Sequence, residues 1–170
     1  MANPTMTLIG SPITVGSGGV SSVTFSSIPA TYTDLVVKVS SRTDNTDTPI
    51  YIYFNSDTTN ANYSVRRLLG TGSAASSASF SAPYVIYADV STYTASTFGN
   101  AEVYIPNYLV SANKSMSIDS VDENNATGAE AVLTAGLWSN TAAITTIKFQ
   151  PLTGNFAQYS TFYLYGIKNS

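Results

Sequence analysis

Short runs of β-branched and aromatic residues recur from one end of the chain to the other, each bounded by Gly, Pro, Asn, Asp or Ser, and this is the pattern of strands separated by turns. In Val23-Thr24-Phe25 and in Met116-Ser117-Ile118-Asp119-Ser120-Val121 apolar residues alternate with small polar ones, the period of a sheet with one face in a core. The runs predict strands near 6–9, 20–28, 34–41, 50–55, 63–69, 79–88, 98–105, 115–121, 131–138, 144–150 and 161–168. The best helical stretch, Tyr63 to Leu69, is short, ends at Gly70 and reads equally well as a strand. Turn segments rich in Gly, Asn and Asp, such as Gly16-Ser17-Gly18-Gly19, Asn55-Ser56-Asp57 and Thr153-Gly154-Asn155, separate the runs. The expected fold is all-β: a two-sheet antiparallel sandwich, jelly-roll-like, of about ten strands. One domain over 1–170 accounts for the length, and residues 1–12 can form an extended N-terminal arm.

Several strands are bulky on both faces. In Ile50-Tyr51-Ile52-Tyr53-Phe54 the tyrosines point opposite to the isoleucines, and Phe162-Tyr163-Leu164-Tyr165 and Tyr84-Val85-Ile86-Tyr87 behave alike. One face fills the core; the other carries rings that bury area yet keep a hydroxyl for water or a partner, which suits interfaces. Tyr51, Tyr53, Tyr163 and Tyr165 are therefore candidate interface residues, unless loops cover them. Arg66-Arg67 joins them as a paired charge, one guanidinium of which is expected to face outward and to meet a carboxylate on a neighbour. Trp138, in an apolar run, reads as a core anchor sooner than a sugar platform.

Composition narrows the chemistry. Only 10% of the 170 residues are charged, with a net charge of -3, so the surface is polar but poor in charge and lacks the basic stripe that nucleic acid would need. The opening residues lack the pattern of a secretory signal, and no apolar run is long enough for a membrane span, so neither membrane nor leader is expected. With no cysteine there is no disulfide framework, and with no histidine the Ser-His and Cys-His nucleophiles and most zinc sites are excluded. A two-carboxylate glycosidase remains formally open, but the acids mostly lie in or beside turns, and no enzyme is expected. Asp119, Asp122 and Glu123 form the densest acidic cluster and could offer oxygens to calcium. They lack the spacing of a patterned loop, so the expectation is a solvated turn, no metal and no cofactor. Gly70-Thr71-Gly72-Ser73-Ala74-Ala75 matches a dinucleotide motif in letters only, without a following helix, and reads with its Ser/Ala-rich continuation as a flexible loop. Three N-x-S/T sequons, at Asn62, Asn113 and Asn125, are coincidences of an Asn/Ser/Thr-rich chain.

Taken in order, a set of motifs resembles small structural proteins of tailed bacteriophages. They are Ile9-Gly10-Ser11-Pro12 with Val20 to Pro29, Tyr32-Thr33-Asp34-Leu35-Val36-Val37, Phe54-Asn55, Asn62-Tyr63-Ser64, and Phe98-Gly99-Asn100-Ala101-Glu102-Val103-Tyr104-Ile105-Pro106-Asn107-Tyr108, followed by Asn113-Lys114-Ser115, Gly136-Leu137-Trp138-Ser139 and Leu164-Tyr165-Gly166-Ile167-Lys168. The resemblance implies a virion protein with a jelly-roll-like fold, of the capsid decoration (cement or head-fibre) type, bound to the major capsid protein or other virion proteins. The alternative is a tail-fibre or receptor-binding module holding host glycans. A homo-oligomer, with a trimer favoured, is expected in either case, and no site residues carry over.

Overall fold

The computed structural model describes residues 5–125 and 128–168, among which thirteen strands form. In chain order these are β1 (Met6–Leu8), β2 (Ile13–Thr14), β3 (Val23–Phe25), β4 (Asp34–Ser41), β5 (Pro49–Phe54), β6 (Tyr63–Gly70), β7 (Ala75–Phe80), β8 (Tyr84–Tyr87), β9 (Gly99–Ile105), β10 (Lys114–Val121), β11 (Ala131–Trp138), β12 (Ile147–Pro151) and β13 (Thr161–Ile167), with a single 3-10 turn at Asn60–Asn62. They make two antiparallel sheets. The larger runs β1-β13-β4-β9-β10-β11-β6-β7, with β2 also on β13, and the smaller runs β3-β12-β5-β8. One core cluster takes Val37, Val103, Ile118 and Leu164 from the large sheet and Ile52, Phe54, Ile147 and Phe149 from the small one, so the sheets pack as a sandwich.

Within it, β1-β13-β4-β9 against β3-β12-β5-β8 has the strand order of an eight-stranded jelly roll. Two hairpins depart from that plan. β10-β11 enters between β9 and β12 in the chain, β6-β7 between β5 and β8, and the two pair with each other through β11 and β6 to widen the large sheet beyond β9. The widened part has its own small core of Leu69, Tyr87 and Val132.

The period-two pattern works as read in β10, where Met116, Ile118 and Ser120 are buried while Ser115, Ser117 and Asp119 face solvent. Trp138 is 1% exposed, packs 5.5 Å from Phe54 and donates its indole N–H to Asp57 at 2.8 Å, as befits a core anchor whose polar edge must find an acceptor. Tyr63 to Leu69 forms the expected strand, held on both sides by β11 and β7. Elsewhere the expectations need correction. The run after Gly70 is no flexible loop: Thr71 N–H bonds Ala74 O at 2.9 Å, Gly72 takes φ 81, and the turn so closed sends Ala75–Phe80 back along β6. The predicted 79–88 strand is two strands in different sheets, broken at Ser81-Ala82-Pro83, and the Pro83 carbonyl instead accepts Ile52 N–H. Of the N-terminal arm, β1 and β2 are bound to β13, while residues 1–4 lie outside the described residues.

Candidate binding surface

The sandwich places the aromatic residues singled out in the sequence on two opposite sides. Tyr51 and Tyr53 lie on the outer face of the small sheet, next to Gln150 and Lys148 of β12. Tyr163 and Tyr165 lie on the outer face of the large sheet, next to Lys38 and Val36 of β4. Tyr53 is only 8% exposed: the Tyr51 ring sits 5.6 Å away, the Tyr63 ring meets it edge-on at 6.4 Å, and the Lys148 ammonium lies 5.1 Å above its centroid. Burial, and then the neighbouring Tyr51, raises its phenol pKa. Tyr51, Tyr163 and Tyr165 are half-buried. For Tyr84 and Val85 the side chains lie outside the description. The tyrosine stripes therefore do not join into a single contact surface.

The arginine pair divides as strand alternation demands. Arg66 is exposed on the outer face of the large sheet, whereas Arg67 turns inward and stacks its guanidinium 5.1 Å from the Phe80 ring and 5.3 Å from the Tyr87 ring. Its role is to close the small core under β6 and β11, and it is not available to a neighbour.

Register assembles a surface that side-chain reading of single strands did not reveal. Asp119, Leu133 and Leu68 are consecutive cross-strand partners on β10, β11 and β6, and Ser117, Ala135 and Arg66 form the adjoining row. Leu133 is 60% and Leu68 53% exposed, large values for paired leucines in the middle of a sheet. They floor a depression of about 580 Å³ whose walls include Arg66, Glu102, Tyr104 and Asp119, and a second hollow of about 390 Å³ continues past them along Val121, Ala131 and Gly70. On the β9 side the face is bounded by two polar contacts. Lys38 pairs with Glu102, and Tyr104 donates its hydroxyl to Asp34 at 3.0 Å, a bond that, with some burial, raises the phenol pKa. The second Asp34 oxygen accepts Asn107 N–H at 2.8 Å. On the far side the face ends at β7, an edge strand whose Ala75–Phe80 segment contains only Ala, Ser and Phe. An edge without charge offers unpaired main-chain groups to another strand.

The face thus supplies apolar area at its centre, with Arg66 and Asp119 exposed beside it, the Lys38–Glu102 pair at its β9 side and small hydroxyl side chains around them. Sequence reasoning missed Leu68 and Leu133, although a signal was present: once Trp138 is taken as pointing inward, alternation puts Leu133 and Leu137 outward. The acidic cluster does not assemble. Asp119 points out from the face, Glu123 is exposed and accepts Asn125 N–H at 2.7 Å, and Asp122 alone is buried. Asp44 and Asp57 cap turns, Asp44 accepting Asn155 N–H at 2.7 Å and Asp57 accepting Thr59 N–H at 3.0 Å. Of the sequons, Asn62 is half-buried and bonds Asp57, Asn113 is exposed, and the one at Asn125 runs through 126–127, outside the described residues. Comparisons with protein-family models, curated proteins and solved structures found no match.

Proposed function

We propose that the chain is a structural protein of a bacteriophage virion, a capsid decoration protein that binds the outer capsid lattice without catalysing a reaction. The phage assignment rests on the motif resemblance. The observation that supports an assembly role is the outer face of the large sheet, where Leu68 and Leu133 stand exposed on a charge-poor surface beside an uncharged edge strand. Covering such a surface removes apolar area from water at about 25 cal/mol per Å², and few charges lose hydration in the process. The part of this face around Leu68 and Leu133 is the contact for self-association, with a trimer as the favoured state and the major capsid protein as the outer partner.

The test is co-sedimentation with shells of the major capsid protein encoded in the same genome, together with light scattering of the free protein. Wild type should pellet with the shells, and Leu133→Asp should remain in the supernatant. Equal pelleting of both, or none of wild type, overturns the proposal.

A second reading is favoured by one feature. The depression combines an apolar floor with Tyr104, Arg66 and Asp119 at its rim, as a site for a host glycan would. A receptor-binding module should select particular sugars on a glycan array and lose them in Arg66→Ala. A decoration protein should select none.

A further inference from the structure

At one end of the sandwich lie buried acids whose side chains find few partners among the described residues. β8 runs on into Asp89 and β10 into Asp122, and Gly99 holds the two segments together: a Cβ there would stand 3.0 Å from the Val121 carbonyl oxygen and 3.1 Å from the Asp89 amide nitrogen. Asp89 and Asp122 are 0% and Asn124 is 1% exposed. Their hydrogen bonds can be counted. One Asp122 oxygen accepts Glu130 N–H, and the Asn124 amide N–H donates to the Asp122 carbonyl at 2.9 Å. Both Asp89 carboxylate oxygens, the second Asp122 oxygen and Asn124 Oδ1 have no hydrogen-bond partner among the described residues.

Two neighbouring donors, Arg42 and Thr97, are committed elsewhere. Arg42 spends its guanidinium on the main-chain oxygens of Thr94 at 2.9 Å and of Thr97 and Tyr93 at 3.1 Å, and it reaches Asp89 only through space. The Thr97 hydroxyl eases the Asp89 charge but gives its proton to Thr94 O at 2.8 Å. The Tyr93 phenol is pushed up to about 12 by burial and then by the charges of Asp122, Glu130 and Asp89. Buried polar atoms are almost always satisfied; among the described residues the other unpartnered buried side-chain atoms, Ser41 Oγ, Ser120 Oγ and Arg67 Nε, are not bonded to these acceptors, which leaves the oxygens open to a cation.

We propose that Asp89, Asp122 and Asn124 hold a divalent, oxygen-preferring cation of the calcium type that ties the segment after β8 to the segment 122–125 after β10. Calcium accepts irregular sets of carboxylate, amide, main-chain and water oxygens. Among the described residues no three acidic side chains stand at metal-ligand spacing, so this is a two-carboxylate site completed by Asn124 Oδ1, main-chain carbonyls and water. It does not depend on the proposed function, and it departs from the metal-free fold expected from the sequence.

The experiment uses chelator-stripped full-length protein. Calcium at a hundredfold excess over its dissociation constant should raise Tm by roughly 5–10 °C over EGTA. Terbium should bind at one per chain, with luminescence excited through Tyr93, displaced by calcium, weakened in Tyr93→Phe and lost in Asp89→Asn and Asp122→Asn. Asp119→Asn, on the outer face, should behave as wild type. The Asn variants should also melt above wild type in EGTA, where they remove an uncompensated charge, and below it in calcium; this crossover separates a cation from a shared proton. Should an Asn variant fail to fold, calcium binding and melting of wild type decide. Identical wild-type melts in calcium and EGTA with no saturable terbium binding, or terbium binding unchanged in both Asn variants, overturns the proposal.

Discussion

Replacing Asp57 by alanine tests whether a surface turn anchors the aromatic core. Asn55 and Ser56 take φ 51 and 62, and Asp57 N–H closes on Phe54 O at 2.9 Å, the two-residue turn with both central residues at positive φ. The turn brings the Asp57 carboxylate to Trp138 Nε1–H at 2.8 Å, Asn62 Nδ2–H at 2.8 Å and Thr59 N–H at 3.0 Å. Alanine removes all of these and keeps the bond from the Tyr63 hydroxyl to the Asp57 carbonyl. Trp138 is 1% exposed, so its orphaned indole N–H costs about 1–3 kcal/mol. Water replaces the partners of Thr59 and Asn62, at roughly 0.5 kcal/mol each. The total is about 2–4 kcal/mol, or roughly 5–12 °C in Tm for a domain of this size. Asp57→Asn, which keeps an acceptor, should lose less than half as much. Urea unfolding followed by the fluorescence of the single Trp gives the value for Asp57→Ala, and circular dichroism gives it again in a Trp138→Phe background, where the cost should fall by about 1 kcal/mol or more. A loss under about 0.5 kcal/mol, or an equal loss in both backgrounds, refutes the reasoning.

Acid provides a related prediction. Burial raises the Asp57 pKa, but the hydrogen bonds from Trp138, Asn62 and Thr59 outweigh it and leave the carboxyl below its ordinary 3.8, so its contribution is present above that value and is lost as pH falls through the lower, folded one. The stability gap between wild type and Asp57→Asn, measured by urea melts, should narrow from pH 6 towards pH 3. Gly166→Ala should destabilise by about 1–3 kcal/mol, because its Cβ would collide with the Tyr32 ring, and Tyr32→Ala should restore part of the loss in thermal melts of the double variant. Lys38 and Glu102 are 48% and 39% exposed, so breaking their ion pair with Glu102→Gln should cost under about 1 kcal/mol in urea. Leu68→Asp should leave unfolding within about 0.5 kcal/mol of wild type while reducing the mass seen by light scattering, which would separate an interface role from a core role.

Much of the fold was legible locally. A strand's period of two is written in neighbouring residues, so the alternation in Met116 to Val121, the inward Trp138 and the turn at Asn55-Ser56 could be read without knowing what lay alongside. The weak β-former run Ala75–Phe80 could not, because its strand exists only through pairing with β6. Nor could the division of 79–88 between two sheets, or the pairing of β6 with β11 that widens the roll, since strand partners are chosen by contacts between distant segments. The candidate sites follow the same divide. Alternation showed that Arg66 and Arg67 must face opposite ways, but only register put Leu68 beside Leu133 and only the crossing of β8 and β10 at Gly99 buried Asp89 with Asp122. Residue types and their local rhythm determined what each strand offers on its two faces; the three-dimensional pairing of the strands decided which of those offers meet, because partners far apart in the chain are brought together only by the fold.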